Sequence, residues 1–346
     1  MTSRQTSAIA ASAEPWTPVP PVGRWPRRPT QVSIVVPVYR EADGIEHFCE
    51  SVAGVMDATG LEWELIFVED DSPDATMEKL RILHERRPSQ VAALSLSRRF
   101  GHQASLAAGF DAAAGDVVIC MDGDMQHPPD MLPHLLHRWA QGDQVVYTRR
   151  RRTERRGALK SWVSQAFYRA ISSISEVRIE DGSADFRLMD RLVVDALRRF
   201  GERGLFYRGL VQWAGFRQSS LAYDAPPRFA GNSSYTLRRM VHLAADAIFS
   251  FSTLPLRMSL MLGGLALAAT FLYAIYVVAC WLRGTAGPAG YTSLVLLVSF
   301  LGSLNLIGLG IVGAYVGRMH EQVKQRPLYL VKERLQAARP RPSLVA

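Results

Sequence analysis

The sequence predicts an α/β domain on a mainly parallel sheet, followed by amphipathic interface helices and two transmembrane helices. Three observations carry that expectation. Short runs rich in β-branched residues alternate with helix-like stretches through the first part of the chain. Acidic residues collect where those runs end. Beyond residue 256 the composition changes abruptly to two long uncharged stretches.

In chain order, "MTSRQTSAIAASAEPWTPVP" is rich in Pro, Ser and Ala and has no long apolar core after Arg4. A disordered tail over residues 1–30 is expected there, not a signal peptide. "VSIVVPVY" (Val32–Tyr39), "ELIFVED" (Glu64–Asp70), "VAALSLS" (Val91–Ser97) and "DVVICMD" (Asp116–Asp122) read as strands. Gly44–Thr59, Asp74–Arg87 and His102–Ala114 read as the helices between them, joining parallel strands by right-handed crossovers. Pro128 and Pro129 seed a further helix, Asp130–Gln141, and Gln144–Thr148 reads as a fifth strand. This domain is expected over residues 31–230.

Two amphipathic helices follow the sheet. Leu159, Trp162, Val163, Phe167, Ile171 and Ile174 share one helical face; Leu237, Met240, Val241, Ala244, Ile248 and Phe251 share another. Each face suits either a core or a membrane interface. The second helix, within residues 231–256, runs almost directly into the first uncharged stretch, which favours the interface.

Met258–Leu282 carries no charge, and Tyr291–Gly317 is a second such run interrupted by Asn305. Each exceeds the roughly 20 residues that cross a bilayer core, so a transmembrane hairpin is expected over residues 257–317. Gly263, Gly264, Gly302, Gly308, Gly310 and Gly313 suit close helix contact and self-association in lipid. The loop Arg283–Gly290 has one arginine, whereas seven Lys or Arg follow Val316 and Arg238, Arg239 and Arg257 precede the first run. By the positive-inside rule the domain and the basic tail, 318–346, face the cytoplasm. The net charge of +8 fits a domain against an anionic leaflet, and nucleic-acid binding is not expected. Cys49, Cys120 and Cys280 are scattered and odd in number, which argues for a reducing compartment.

Ligands of open parallel sheets bind beyond the carboxyl ends of the strands. Glu41, Asp70, Asp71, Asp122 and Asp124 all fall at such ends, a costly gathering unless cations or donors lie among them. No G-x-G-x-x-G follows the first strand and no P-loop motif occurs, which disfavours dinucleotide oxidoreductases and P-loop nucleotidases. In "VVICMDGDMQHPPD" a buried strand closes on Asp122 and Asp124, with the side-chain carbonyl of Gln126 two residues on. Mg2+ or Mn2+ favours such oxygen ligands together with substrate phosphates, so this strand end reads as a cation seat for a diphosphate.

"VSIVVPVYREADGI", "VEDDSPDAT", "FGHQASLAAGF", "MDGDMQHPPD" and "GSADFRLMDR", in that order, resemble the family 2 glycosyltransferases, and among them the polyprenyl-phosphate glycosyltransferases. The resemblance spans about Val32 to Arg334. It implies a glycosyltransferase A-type nucleotide-sugar domain. It implies that Pro37, Tyr39 and Glu41 line a nucleoside pocket and that Asp70 meets the uracil or guanine edge. Asp122 would lie near ribose and metal, with Asp124 and Gln126 as metal ligands. Ser183, Asp185 and Arg187 would border sugar and acceptor. The chain departs from the family at "EDDS", where "DDGS" is common, so Glu69 and Asp71 bring extra negative charge.

The implied reaction is metal-dependent, inverting transfer of one sugar, with UDP-glucose the expected donor and undecaprenyl phosphate the acceptor, at a bacterial inner membrane. A lipid phosphate is largely anionic at neutral pH, so no strong base is needed. "YTRRRRTERRGALK" offers arginine forks for that phosphate: Arg149 plus one of Arg155, Arg156 or Lys160 is expected to bind it, the remaining cations being solvated or at headgroups. Arg228 and Ser233–Tyr235, hence Ser234 and Tyr235, read as a loop closing over the donor. His102 and His127 read as hydrogen-bonded structural residues, and Cys120 as a small buried apolar one. The competing expectations are a processive polysaccharide synthase, disfavoured because Q-x-x-R-W is missing, and a silent nucleotide-sugar-binding scaffold.

Overall fold

A computed structural model describes residues 19–150, 183–200, 207–223, 254–283 and 290–337. The chain divides into two compact units. One comprises Met1–Tyr168, Val177–Ser234 and Pro327–Ala346; the other comprises Arg169–Glu176 and Tyr235–Arg326.

The first unit is built on a sheet of eight strands among the described residues. They are β1 (Gln31–Val38), β2 (Glu62–Glu69), β3 (Val91–Leu96), β4 (Val117–Cys120), β5 (Val145–Arg150), β6 (Ser183–Asp190), β7 (Gln218–Tyr223) and β8 (Val331–Leu335), in the spatial order β7-β5-β6-β4-β1-β2-β3-β8. The pairs β1–β2, β1–β4, β2–β3 and β5–β7 are parallel, while β4–β6, β5–β6 and β3–β8 are antiparallel. The central strands are buried on both faces, which is why they read as unbroken apolar runs. Helices α1 (Ile45–Thr59), α2 (Thr76–Arg86), α3 (His102–Ala112) and α4 (Leu132–Ala140) supply the crossovers. Each starts or ends within about two residues of its expected limits. The short helices α5 (Arg191–Arg198) and α6 (Tyr207–Trp213) follow β6.

The antiparallel strand β6 positions the site. Arg187 lies opposite Cys120, so the first residues of β6 sit where β4 finishes. Strand β5 runs antiparallel to β6 and therefore alongside β4 in direction, with Arg149 opposite Ser183. The ends of β1, β2, β3, β4 and β5 and the start of β6 thus share one rim.

Helix α3 packs against β1 at Gly109, where an added Cβ would approach Val35 Cγ1 to 2.1 Å. At the opposite end of the sheet Glu64 accepts hydrogen bonds from Ser33 Oγ at 2.6 Å and Ala114 N–H at 2.9 Å, satisfying a carboxylate that is only 6% exposed.

Two terminal expectations need correction. The disordered tail does not reach Thr30: Val22–Arg24 forms a 3-10 turn, Trp25 is buried in the core, and Arg27 reaches Asp190 at 2.6 Å while lying 3.9 Å from the Trp139 ring centroid. A buried carboxylate and an aromatic face hold this segment, which outweighs its proline content. The basic tail is not only a tail. Its residues Val331–Leu335 pair with β3, and Glu333 takes two hydrogen bonds from Arg81, at 3.0 and 2.7 Å.

The second unit contains α7 (Leu254–Leu282, 29 residues) and α8 (Tyr291–Val323, 33 residues). Their lengths correspond to about 44 and 50 Å at 1.5 Å per residue. Gly308 of α8 faces Ser259 of α7, where an added Cβ would meet the hydroxyl oxygen at 2.9 Å. Among the described residues one stretch, Phe300–Gly317, is long and apolar enough to cross a membrane; Met261–Tyr273 is a shorter apolar stretch. Helix α8 also continues past the expected end of its uncharged run, to Val323.

Candidate active site

Asp122 follows β4 by two residues and its side chain is 39% exposed. Its backbone N–H donates to His127 Nδ1 at 2.9 Å, which places the His127 proton on Nε2, 3.7 Å from Asp122 Oδ2. His127 is buried, stacked on Phe186 at 5.0 Å and edge-on to Tyr223 at 6.2 Å. Burial outweighs the attraction of Asp122, Asp124 and Asp185 and holds its pKa below the ordinary imidazole range, so it is a neutral structural residue. Met125 adopts φ +61°, and Asp124 Oδ1 accepts the Gln126 N–H at 3.1 Å, a local turn that sets Asp124 and Gln126 beyond the strand.

Asp70, expected at the nucleobase edge, directly follows the last residue of β2. It is 5% exposed, and its two oxygens accept the N–H groups of Phe100 at 2.6 Å and Gly101 at 2.8 Å. The turn into α3 needs Gly101 at φ +97°, a region few other residues tolerate, and Asp70 satisfies the amides this turn leaves open. The extra charge expected from Glu69 does not reach the rim. Glu69 is buried against β3, where it accepts from Ser95 Oγ at 2.6 Å and from the Ser72 N–H.

Tyr39 and Pro37 are half-buried at the end of β1, and the guanidiniums of Arg99 and Arg40 lie 4.0 and 5.4 Å from the Tyr39 ring centroid. Glu41 turns the chain into α1: its carbonyl accepts the N–H groups of Gly44 and Ile45 at 3.1 and 3.0 Å, and its own N–H donates to Thr76 Oγ1 at 3.2 Å.

On β6, Asp185 is 9% exposed and held from several sides. Arg208 Nε donates to Oδ1 at 2.7 Å and Nη2 to Oδ2 at 2.9 Å, a fork-on-carboxylate arrangement. Arg187 Nη2 is 3.5 Å away and His102 Nε2 is 3.4 Å away. Burial opposes ionisation of Asp185, but the hydrogen bonds from His102 and Arg208 and the charges of Arg208 and Arg187 overcome it, holding its pKa well below the usual carboxylate range. His102 also lies 3.9 Å from Asp122 Oδ1. Desolvation lowers the His102 pKa, yet the Asp185 hydrogen bond and the two carboxylate charges prevail and raise it. Cys120 donates Sγ–H to the Asp185 carbonyl at 2.9 Å, and burial pushes its thiol up to about 12, so it is inert.

The rim therefore brings together Pro37, Tyr39, Glu41, Asp70, Asp122, Asp124, Gln126, Arg149, Ser183, Asp185 and Arg187. Arg155, Arg156, Lys160, Arg228, Ser234 and Tyr235 lie outside the described residues. Sequence reading missed Arg208, which no local pattern marks. His102, read as a hydrogen-bonded structural residue, does stand within 3.4 Å of Asp185. Among the described residues no three His, Cys, Asp or Glu side chains gather as a metal-holding group. A cation seat here would rest on two carboxylates and the Gln126 carbonyl, a donor set that suits magnesium or manganese completed by phosphate oxygens.

Residues 33–198 match the model of the family described as glycosyl transferase family 2. The chain is 37% identical over 303 residues to an uncharacterized glycosyltransferase of Synechocystis, covering 88% of this chain and 95% of the relative. The chain belongs to glycosyl transferase family 2. It is an enzyme of the glycosyltransferase class with a glycosyltransferase A-like α/β fold. This glycosyltransferase is also 36% identical over 303 residues to the bactoprenol glucosyl transferase of Shigella phage SfII, covering 88% and 98% of the two chains. The solved mannosyltransferase from Pyrobaculum calidifontis, in complex with GDP-Man and Mn2+, is 18% identical, covers 86% and 90% of the two chains, and has a TM-score of 0.42.

Proposed function

We propose that this glycosyltransferase moves one sugar, with inversion, from a nucleoside-diphosphate sugar to the phosphate of a polyprenyl phosphate. UDP-glucose is the proposed donor and undecaprenyl phosphate the acceptor. One arrangement carries the reading: Asp122 and Asp124 follow the end of β4, while Arg187 on β6 pairs in register with Cys120 and Arg149 on β5 with Ser183, an order along one rim that suits a cation-bound diphosphate next to a second anion. The bactoprenol glucosyl transferases that match nearly the whole chain support the lipid acceptor.

An acceptor phosphate oxygen forms a bond to the anomeric carbon as the bond from that carbon to the diphosphate breaks, and the nucleoside diphosphate leaves. Tyr39 and Pro37 wall the nucleoside. Asp122, Asp124 and Gln126 would hold the metal, which when bound neutralises charge on the leaving diphosphate. Arg149 and Arg187 counter the charge of the approaching phosphate, with Ser183 beside them and Arg155 or Lys160 added from the neighbouring segment. Asp185, ionised and saturated by Arg208, orients its neighbours and is a poor proton acceptor. Arg228, Ser234 and Tyr235 cover the donor.

The reading extends to the membrane. Helices α7 and α8 are proposed as two spans of a multi-pass inner-membrane protein, with the catalytic domain cytoplasmic. Exposed Leu265, Phe271, Leu306 and Leu309 suit lipid, and the glycines of these helices suit a homo-oligomer. Incubating membranes with labelled UDP-glucose, GDP-mannose or UDP-N-acetylglucosamine and extracting the lipid tests the reaction. Label from UDP-glucose in a single-sugar lipid phosphodiester supports it. Label in long glycan, or none in lipid from any donor, refutes it.

A further inference from the structure

We propose that His102 is a positioning residue that aims the Asp122 carboxylate at the cation-binding seat. The inference rests on the function proposed above. The two oxygens of Asp122 face different imidazoles: Oδ1 lies 3.9 Å from His102 Nε2, and Oδ2 lies 3.7 Å from His127 Nε2. His127 holds its side through a neutral ring locked by the Asp122 N–H and by the Phe186 stack. His102 closes the other side and is 3.4 Å from Asp185, so it spans carboxylates on two neighbouring strands. Without it, Asp122 can turn about its χ angles with one restraint fewer, and two anions face each other across the gap.

His102 is placed well for this task. Its turn is fixed by Asp70 through the Phe100 and Gly101 amides, and by the Gly101 carbonyl, which accepts from Ala104 at 3.0 Å and Ser105 at 3.1 Å. The adjacent Gln103 accepts the Tyr207 N–H at 3.2 Å, and Phe110 packs edge-on against Tyr207 at 5.0 Å. Arg208 is the next residue after Tyr207. These contacts tie the start of α3 to the start of α6, and so hold His102 and Arg208 together at Asp185. Four strand-end elements converge on one imidazole: the tip of β2 through Asp70, the turn after β3, the end of β4 and the start of β6.

Groups that orient metal ligands typically change metal affinity by about 10–100-fold when removed. The test is calorimetric binding of UDP and of GDP to the full-length protein in detergent, across a manganese titration, for the unaltered enzyme, His102→Ala and His102→Gln. The Gln amide nitrogen reaches about as far as imidazole Nε2. The expected result is that His102→Ala needs about 10-fold more manganese for half-maximal nucleotide binding. Its metal-free binding and unfolding temperature stay close to those of the unaltered enzyme, and His102→Gln recovers most of the manganese response. An unchanged manganese requirement in His102→Ala overturns the proposal. So does an equal loss in both variants accompanied by a lowered unfolding temperature, which would make His102 a fold residue only. If the unaltered enzyme binds neither nucleotide in a manganese-dependent way, the cation seat itself fails, and that outcome is separate from the behaviour of the variants.

Discussion

Replacing Arg208 with Met tests the ionic centre of the rim. The substitution keeps the alkyl volume and removes two charge-assisted hydrogen bonds to Asp185, at 2.7 and 2.9 Å. Breaking a buried ion pair by deleting one partner commonly costs about 3–5 kcal/mol, because the remaining charge is left in a poorly solvating place. Here the cost is smaller for two reasons. The Arg208 side chain is 34% exposed, so water already screens part of the attraction, and Asp185 keeps Arg187 at 3.5 Å and His102 at 3.4 Å. A loss of about 2–3 kcal/mol is expected. At roughly 2–4 °C per kcal/mol for a domain of this size, the unfolding temperature should fall by about 4–12 °C. Tryptophan fluorescence during thermal unfolding in detergent reads this directly. Asp185→Asn supplies the control, since a neutral amide no longer needs a counter-charge: it should cost less in the Arg208→Met background than in the unaltered enzyme. A loss below about 0.5 kcal/mol, or equal Asp185→Asn effects in both backgrounds, would refute the pairing.

Asp124→Ala should abolish sugar transfer to lipid phosphate while the protein stays folded and membrane-bound; full activity in that variant, measured by label in the lipid extract, removes the basis for the metal assignment. Gly109→Ala forces a Cβ against Val35 Cγ1, at 2.1 Å before any shift, in a fully buried spot where a β-branched side chain has little room to turn. Overpacking of this kind costs about 1–3 kcal/mol, visible as a lower unfolding temperature. Asp190 is buried, and although burial alone would raise its pKa, the Leu192 N–H, Trp139 Nε1 and Arg27 lower it. A depressed carboxylate contributes stability above its unfolded value and loses it as pH falls through the folded one, so stability should drop on acidification below about pH 4. The acid-side slope should be shallower in Asp190→Asn, as measured by chemical unfolding at stepped pH.

The four central strands were legible because β1, β3 and β4 and most of β2 are buried on both faces, which leaves mainly apolar and β-branched residues along them. Two others, the edge strand β8 and the interior strand β6, were not. In β8 the triplet Lys332-Glu333-Arg334 looks like solvated charge, yet a sheet edge tolerates such residues, and Arg81 meets Glu333 there. In β6 the buried ions Asp185 and Arg187 interrupt the pattern that marks a strand, so only the family resemblance drew attention to "GSADFR". Glu69 and Asp70 show the limit at the site itself. Both are acids at the end of β2, and the sequence offers nothing to say that one bonds Ser95 on the neighbouring strand while the other caps the turn into α3. Those assignments depend on which face each residue takes as the strand ends.

Why a mixed sheet serves this chemistry follows from the placement of charge. A wholly parallel sheet would bring only strand ends to the rim, and here those of β1, β2 and β4 carry carboxylates. Inserting β6 in the opposite direction between β4 and β5 adds a strand start, which brings Arg187 inward opposite Cys120 and holds Ser183 beside Arg149. Asp185, held ionised by Arg208, stands on the same strand as Arg187, which lies 3.5 Å from it. If the rim works by keeping a cation-bound diphosphate and a second anion apart until they react, neutralising Arg187 should weaken acceptor use more than donor binding. Arg187→Met is the discriminating variant. A raised KM for lipid phosphate with unchanged affinity for the nucleoside diphosphate supports that division of labour. An equal loss for both substrates would mean that the rim is one undivided field of charge.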